Sequence, residues 1–314
     1  MKVSIIIPTR NAGKYIKDLI NTLSSQTIKP LEIIVIDTAS KDDTKNICKN
    51  YDFIRFIQIN DGEFDHGGTR NKAAKEAKGD ILIFMTQDAL PKDKYFIQEI
   101  IKYLGTDNIV ATYGRQIARK DAGVLEKFSR KFNYPENDIV KSKKDISKLG
   151  VKTFFLSNVC SAFIKEEFWR VGGFPENTIM NEDMIISSKL IFSNKKVCYT
   201  SNAKVIHSHQ YTYIQQFKRN FDVGVVFMDS GDYFAGVKSE SEGIKYLKEA
   251  MRYLIKSKKV YLIPHLIIDS GFRFIGYKAG MNYKKIPIKL VKKMSMHSFY
   301  FDNKKSKVEV SQWE

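Results

Sequence analysis

The sequence has little that would tie it to a secreted, membrane-spanning or dinucleotide-binding class. Three cysteines occur in 314 residues, Cys48, Cys160 and Cys198, and no two stand in CxxC spacing. Their isolation argues against a disulfide framework or a cysteine-built zinc site, and fits reduced core thiols in the cytoplasm. No stretch reaches the roughly 20 apolar residues that cross a bilayer. Before Pro8 stand one Lys and a short apolar run over residues 3–7, too little for a secretion signal. No GxGxxG follows that run and no P-loop pattern occurs anywhere, so neither phosphate-cradling fingerprint is supported. Acids are scarce in one region. Across residues 251–300 eleven Lys and Arg face a single Asp, a net of +10 out of +17 for the whole chain.

What is present is a rhythm of β-branched runs and helical patterns. Residues 3–7, 32–36, 54–59 and 81–85 read as strands, the last wholly apolar and therefore covered on both faces. Tyr15, Ile16, Leu19, Ile20 and Leu23 repeat at helical spacing with Asn11 as a cap, and Thr69 caps an Ala/Lys helix reaching Lys78. Strand and helix in alternation imply an α/β sandwich on a mostly parallel sheet with right-handed crossovers.

Ligands of such sheets sit beyond the carboxyl ends of the strands. Three strands end there in polar tips: Pro8-Thr9-Arg10, Asp37, and Asp88 after Thr86-Gln87. A fourth runs into Asn60-Asp61. Carboxylates so placed can accept from a base or a ribose, or hold a divalent cation on a diphosphate. Arg70, near a helix start, can pair with phosphate. Each has a plainer alternative: Asp88 starting a turn before Pro91, Asp37 capping Ser40 and Thr44, Arg70 on a solvated helix face.

Further along, Met180-Asn181-Glu182-Asp183-Met184-Ile185-Ile186 opens a helix that Asn181 can cap. Two acids in a first turn are also what the helix dipole favours without any catalysis. Residues 203–209 form a strand ending in His207-Ser208-His209, a pair able to ligate an ion or merely to hydrogen-bond around a loop. Gly114-Arg115-Gln116 can face an acceptor, residues 141–148 read as a solvated loop, and residues 153–156 as a strand.

Several of these segments together resemble a known family. Ile7-Pro8-Thr9-Arg10-Asn11, the run from Val35 through Asp37 to Thr44, and Gly68-Thr69-Arg70-Asn71 are similar to family 2 glycosyltransferases of GT-A fold. Phe64-Asp65-His66-Gly67-Gly68-Thr69-Arg70-Asn71 and Thr86-Gln87-Asp88-Ala89 resemble the bacterial rhamnosyltransferase branch. The likeness runs through residues 1–230. It implies a donor site of Pro8, Thr9, Arg10, Asp37, Asp61, Arg70, Gln87 and Asp88. It also implies a divalent cation, Mg²⁺ or Mn²⁺, on Asp88 with His207 or His209. Asp183 becomes the general base and Glu182 orients the acceptor, the helix N-terminus helping to keep Asp183 ionised. The family's first metal-site acid is Thr86 here.

From residue 231 to 314 the pattern is of basic amphipathic helices. Ile244, Leu247, Met251, Leu254 and Ile255 form one stripe, and Ile286, Leu290, Val291 and Met294 another, each interleaved with lysines. Such helices attach peripherally to an anionic leaflet, each basic residue adding about 1 kcal/mol. They can also simply pack on the main domain.

The expectation is an inverting transferase of L-rhamnose from a dTDP donor to a lipid-linked cell-envelope glycan. It would work in the cytoplasm on the inner face of the cell membrane. A nucleotidyltransferase, a non-catalytic membrane-binding module and a nucleic-acid-binding protein are the alternatives. No nucleic-acid motif accompanies the basic tail, and apolar patches interrupt it.

Overall fold

The computed structural model describes residues 1–302 apart from 235, 236, 238 and 239. The chain forms two compact units, Met1–Glu176 with Glu182–Ser208, and Asn177–Asn181 with the chain from His209 onward. The last twelve residues of the basic tail read from the sequence lie outside the described residues.

The first unit runs β1 (Val3–Thr9), α1 (Ile16–Ser24), β2 (Glu32–Thr38), α2 (Thr44–Lys49), β3 (Ile54–Ile59), α3 (His66–Glu76), β4 (Ile81–Met85) and β5 (Leu90–Pro91). It continues with α4 (Phe96–Ile101), β6 (Ile109–Ile117), α5 (Val124–Asn133), β7 (Ile139–Lys141) and α6 (Ile146–Leu149). Then come β8 (Cys160–Ile164), α7 (Lys165–Arg170), α8 (Glu182–Phe192) and β9 (Lys196–Ile206). One sheet takes them in the order β3-β2-β1-β4-β8-β6-β9-β5, with β7 paired to β9.

The sheet is mixed where a mostly parallel one was expected. β1, β2, β3 and β4 are parallel to one another, but β8 runs antiparallel to β4 and β6. That reversal matters to the site. It sets Cys160, the start of β8, against Met85, the end of β4, so the loop before β8 lies at the edge where β1, β2 and β4 end.

Alternation sorts the strands' side chains. Ile5, Ile7, Ile33, Val35, Ile81, Ile83 and Met85 pack with Ile16, Leu19, Ile20 and Leu23 of α1 and Phe96, Ile97 and Ile100 of α4. On the other face Phe84 meets Phe163, Phe168 and Phe174 at ring separations of 5.8, 5.5 and 4.9 Å. Each such side chain contributes about 1.5–3 kcal/mol when buried, so this frame is stiff beneath the loops it carries.

The second unit contains α9 (Tyr213–Asp229), α10 (Glu240–Lys256), α11 (Ile263–Met281) and α12 (Ile288–Met294). α9 and α11 approach through glycines. A Cβ on Gly280 would stand 2.0 Å from the Phe221 carbonyl oxygen, and one on Gly276 2.3 Å from that of Phe217. This contact puts α9 with the later helices, whereas the sequence reading divided the chain near residue 230.

Other local expectations are corrected. α3 is capped by Asp65, whose Oδ1 accepts from the backbone N–H of Gly67 and Gly68, not by Thr69. Asn11 does not cap α1. It sits at φ 50°, and its side chain accepts from Lys41 N–H. Residues 150–154 form a 3-10 turn in place of the expected strand. Lys141 lies buried in β7 and not in a solvated loop, its ammonium over the Tyr113 ring, because pairing with β9 draws it inward.

Candidate active site

The loops after β1 and β2 are stitched together. Thr9 and Asp37 are register partners, and the Thr9 hydroxyl donates to Asp37 Oδ1 at 2.8 Å. Asp37 also accepts from the Ser40 hydroxyl and backbone N–H. Asn11 N–H donates to Ser40 Oγ, Ala12 N–H to Thr44 Oγ1, and Gly13 N–H to Asp42 Oδ2. Asp37 is therefore buried and organises its loop through Ser40, while Thr44 is held by Asp42.

The next strand end joins the same edge. The Arg10 backbone N–H donates to Gln87 Oε1 at 2.8 Å, and Gln87 Nε2 donates back to the Arg10 carbonyl at 3.1 Å. The Arg10 side chain pairs with Asp61 at 2.9 Å, both well exposed. Pro8, Thr9, Arg10, Asp37, Asp61, Gln87 and Asp88 are thus brought to one edge by the register of β1, β2, β3 and β4.

Asp88 faces a histidine. Its Oδ2 lies 3.5 Å from His207 Nε2, because β5 pairs Leu90 with Ile206 at the end of β9. His207 is buried, and its Nδ1 lies 3.0 Å from Gln116 Oε1. Gln116 Nε2 donates to Ser157 Oγ at 2.9 Å, and Arg130 of α5 donates to Gln116 Oε1. Gln116, expected to face an acceptor, is instead buried behind His207. His209 is exposed and opens the second unit, two residues along the chain from His207.

The acidic pair of α8 completes the edge. Glu182 is buried and bonds to Arg70 Nη1 at 3.1 Å and to Asn158 Nδ2 at 3.0 Å. Asp183 Oδ2 accepts from the Asn158 backbone N–H at 3.0 Å, and Oδ1 from that of Met184. Arg70, read as a phosphate ligand, has its guanidinium on Glu182 and on the His66 carbonyl. Its Nε is buried without a hydrogen-bond partner among the described residues.

These contacts drive the two acids apart. Burial alone would raise Glu182, but Arg70, His66 and Asn158 hold it below the usual carboxylate range. Burial and the adjacent Glu182 charge push Asp183 up to about 7, against the pull of the Asn158 and Met184 N–H groups. The helix N-terminus therefore does not keep Asp183 at an ordinary carboxylate value, as expected from the sequence; desolvation and like charge win. Neighbouring carboxylates pushed apart in this way mark acid–base assignments.

A divalent cation fits the Asp88 end. A carboxylate oxygen and an imidazole nitrogen converge there, and the Thr86 hydroxyl is buried without a hydrogen-bond partner among the described residues.

Sequence reasoning missed Asn158 as the residue that grips both acids, and Arg130 and Ser157 as supports of Gln116. The available signal was the polar pair Ser157-Asn158 just before an apolar strand.

A mixed α/β sheet thus carries carboxylates, a histidine and a buried acid pair along one edge. Residues 4–172 match the family "Glycosyl transferase family 2", and the chain belongs to that family of glycosyltransferases. The O-antigen chain rhamnosyltransferase RfbN of Salmonella typhimurium is 39% identical over 307 residues, covering 96% of this chain and 97% of that protein. WbaN of Salmonella anatum, with the same description, is 37% identical over 96% of each. Among solved structures, the mannosyltransferase PcManGT of Pyrobaculum calidifontis, in complex with GDP-Man and Mn²⁺, aligns at TM-score 0.55 and 15% identity over 96% of this chain and 84% of that one. Staphylococcus aureus TarS 1–349 with UDP-GlcNAc aligns at 0.53 and 18% over 91% and 92%. These two likenesses establish the GT-A fold.

Proposed function

We propose that the protein transfers L-rhamnose from a dTDP donor to a lipid-linked cell-envelope glycan, with inversion at the transferred carbon. The rhamnose and O-antigen part rests on the two Salmonella relatives, which match along nearly the whole chain. The mechanism rests on one observation: consecutive residues tie its two halves together. Ser157 supports the Gln116–His207–Asp88 end, and Asn158 holds Glu182 and Asp183.

In this reading Thr9, Arg10, Asp37, Asp61 and Gln87, on the stitched loops after Pro8, receive the nucleotide. Asp88 and His207 hold the divalent cation, with His209 as a further candidate ligand. When bound, that cation supplies positive charge against the leaving diphosphate. Asp183 takes the proton of the acceptor hydroxyl as its oxygen bonds to the sugar's anomeric carbon, and the bond from that carbon to the diphosphate breaks. Glu182, ionised and held by Arg70 and Asn158, keeps Asp183 a strong enough base near neutrality. Incubation with dTDP-rhamnose and a panel of other nucleotide sugars, with Mn²⁺ or Mg²⁺, tests the reading through nucleotide release. Turnover of a different donor would refute rhamnose. No turnover of any donor, in the presence of a lipid-linked acceptor, would refute the mechanism.

We infer also that the second unit attaches the enzyme to the cytoplasmic leaflet. No described helix is long and apolar enough to cross a membrane. On α11 and the turn before it, Tyr261, Ile267, Ile268, Phe274 and Ile275 are all exposed. Within α11, Ile267 and Phe274, and Ile268 and Ile275, stand seven residues apart, so these four share a face. Lys258, Lys259 and Lys278 stand at its two ends. The apolar face is thus on α11, while the α10 stripe read from the sequence is partly buried through Leu254. Sedimentation with phosphatidylglycerol vesicles should bring the protein down, and a Phe274→Glu, Ile275→Glu variant should stay in solution. Equal sedimentation of both would reject α11 as the attachment face.

A further inference from the structure

We propose that Arg130 and Gln116 are positioning residues that lock His207 in one tautomer and so aim its Nε2 lone pair at the Asp88 carboxylate. The argument begins with a group that can only donate. The Arg130 guanidinium has no acceptor, so the Gln116 side-chain atom it contacts is the carbonyl oxygen, Oε1. An amide nitrogen in that place would put donor against donor. The Gln116 Nε2 then falls on Ser157 Oγ at 2.9 Å, where a hydroxyl accepts it.

The same Oε1 lies 3.0 Å from His207 Nδ1. An oxygen that can only accept requires a proton on that nitrogen. In a neutral imidazole the other nitrogen is then bare, and that nitrogen is Nε2, 3.5 Å from Asp88 Oδ2. The lock therefore builds a ligand pair for a cation before any cation arrives. Arg130 itself stays 3.4 Å from Nδ1, too long to compete with Gln116 for it. Outer partners of a metal-bound imidazole commonly act in this way, setting tautomer and ring orientation.

Gln116 is on β6 and Arg130 on the α5 helix that follows it, while His207 lies 91 residues beyond Gln116. The parallel pairing of β6 with β9 and the His207 N–H bond to the Ile117 carbonyl bring it beside them. The polarity of the arrangement is what the proposal adds. Gln116 offers an acceptor to His207 because Arg130 forbids the reverse orientation.

The inference rests on the cation reading above, yet its first test needs no metal. Nitrogen-15 NMR of histidine-labelled, metal-free protein, with the His207 signals assigned by their loss in His207→Ala, should show the proton on Nδ1. A proton on Nε2 in the wild type overturns the proposal. Gln116→Leu should release the tautomer. It should also weaken Mn²⁺ binding about ten- to a hundredfold, measured by electron paramagnetic resonance with thymidine diphosphate present. Gln116→Glu keeps an acceptor facing Nδ1 and should restore both signals, which general damage to β6 would not do. Arg130→Met lets the amide turn over and should mix the tautomers. If Gln116→Leu keeps both the Nδ1 proton and the wild-type Mn²⁺ affinity, the lock is refuted while the cation reading stands. If the wild type has its proton on Nδ1 but binds no Mn²⁺, the lock is supported and the cation reading fails.

Discussion

Asp183 and Glu182 show how far a residue's surroundings outrun its identity. Both are acids in the first turn of a helix, and the dipole there favours ionisation of each. Burial pushes both up, yet Arg70 beside Glu182 brings that acid below the usual range, whereas Asp183, with the Glu182 charge beside it, rises to about 7. Asp183→Asn should lower kcat by about two to four orders of magnitude, the usual worth of a general base. Donor binding by calorimetry should barely change. As the base must be ionised, the wild-type rate should fall with acid below about pH 7 and level off above it. Stability should move the opposite way. The folded state holds a proton on Asp183 that the unfolded chain releases near the ordinary carboxylate value of about 4. Between that value and about 7 folding is therefore progressively disfavoured as pH rises. At pH 8 Asp183→Asn should melt at a higher temperature than wild type, and at pH 4 the two should nearly coincide. Arg70→Ala is different. It strands a buried Glu182 charge and should cost about 3–5 kcal/mol by urea denaturation, whereas the double change Arg70→Met, Glu182→Leu should recover most of that loss. Separately melting variants with no such recovery would show that the pair is not energetically linked.

At the scale of elements, two features decide the site and the appended helices. One is the reversed direction of β8. A β strand pairing antiparallel to β4 has to begin where β4 ends, so Ser157 and Asn158 arrive beside Thr86, Gln87 and Asp88 without any local motif announcing them. The other is the glycine contact of α9 and α11. An added methyl on Gly280 would overlap the Phe221 carbonyl, and a helix backbone cannot give way as a flexible side chain can. Gly280→Ala should therefore destabilise the protein by about 1–3 kcal/mol despite alanine's better helix propensity. Gly271→Ala, where nothing stands within 4 Å, should be neutral or slightly stabilising. Thermal melts of the two variants make the comparison, and equal effects would remove the packing explanation. Periodicity marked the apolar stripes that fall on α10 and α12. It marked neither α11 nor which helix faces are covered, because packing and not local pattern decides that.

For the whole molecule, charge and apolar exposure act together. The excess of Lys and Arg lies over residues 251–300, and exposed lysines flank an exposed apolar face. Attachment to anionic vesicles should weaken steeply as sodium chloride rises from 0.05 to 0.5 M, values chosen to take the screening length from above 10 Å to well below it. It should not vanish, since the apolar face is insensitive to screening. Binding that ignores salt, or that is equal on neutral and anionic vesicles, would contradict a basic attachment surface.

The sequence by itself determined the parallel half of the sheet, the polar strand ends and the family. Those depend on patterns within short windows: β-branched runs, a polar tip at the end of each, and a helix starting after most of them. It also determined that Asp88, His207, Glu182 and Asp183 were worth watching. Only the tertiary structure decided what each carboxylate touches. Glu182 met Arg70 and Asn158, Gln116 went behind His207, and burial with the neighbouring Glu182 charge raised Asp183 to about 7. The physical reason is that desolvation and pairing depend on what strands far apart in the chain bring within about 3 Å of one another, a hydrogen bond's length, and no local pattern carries that distance.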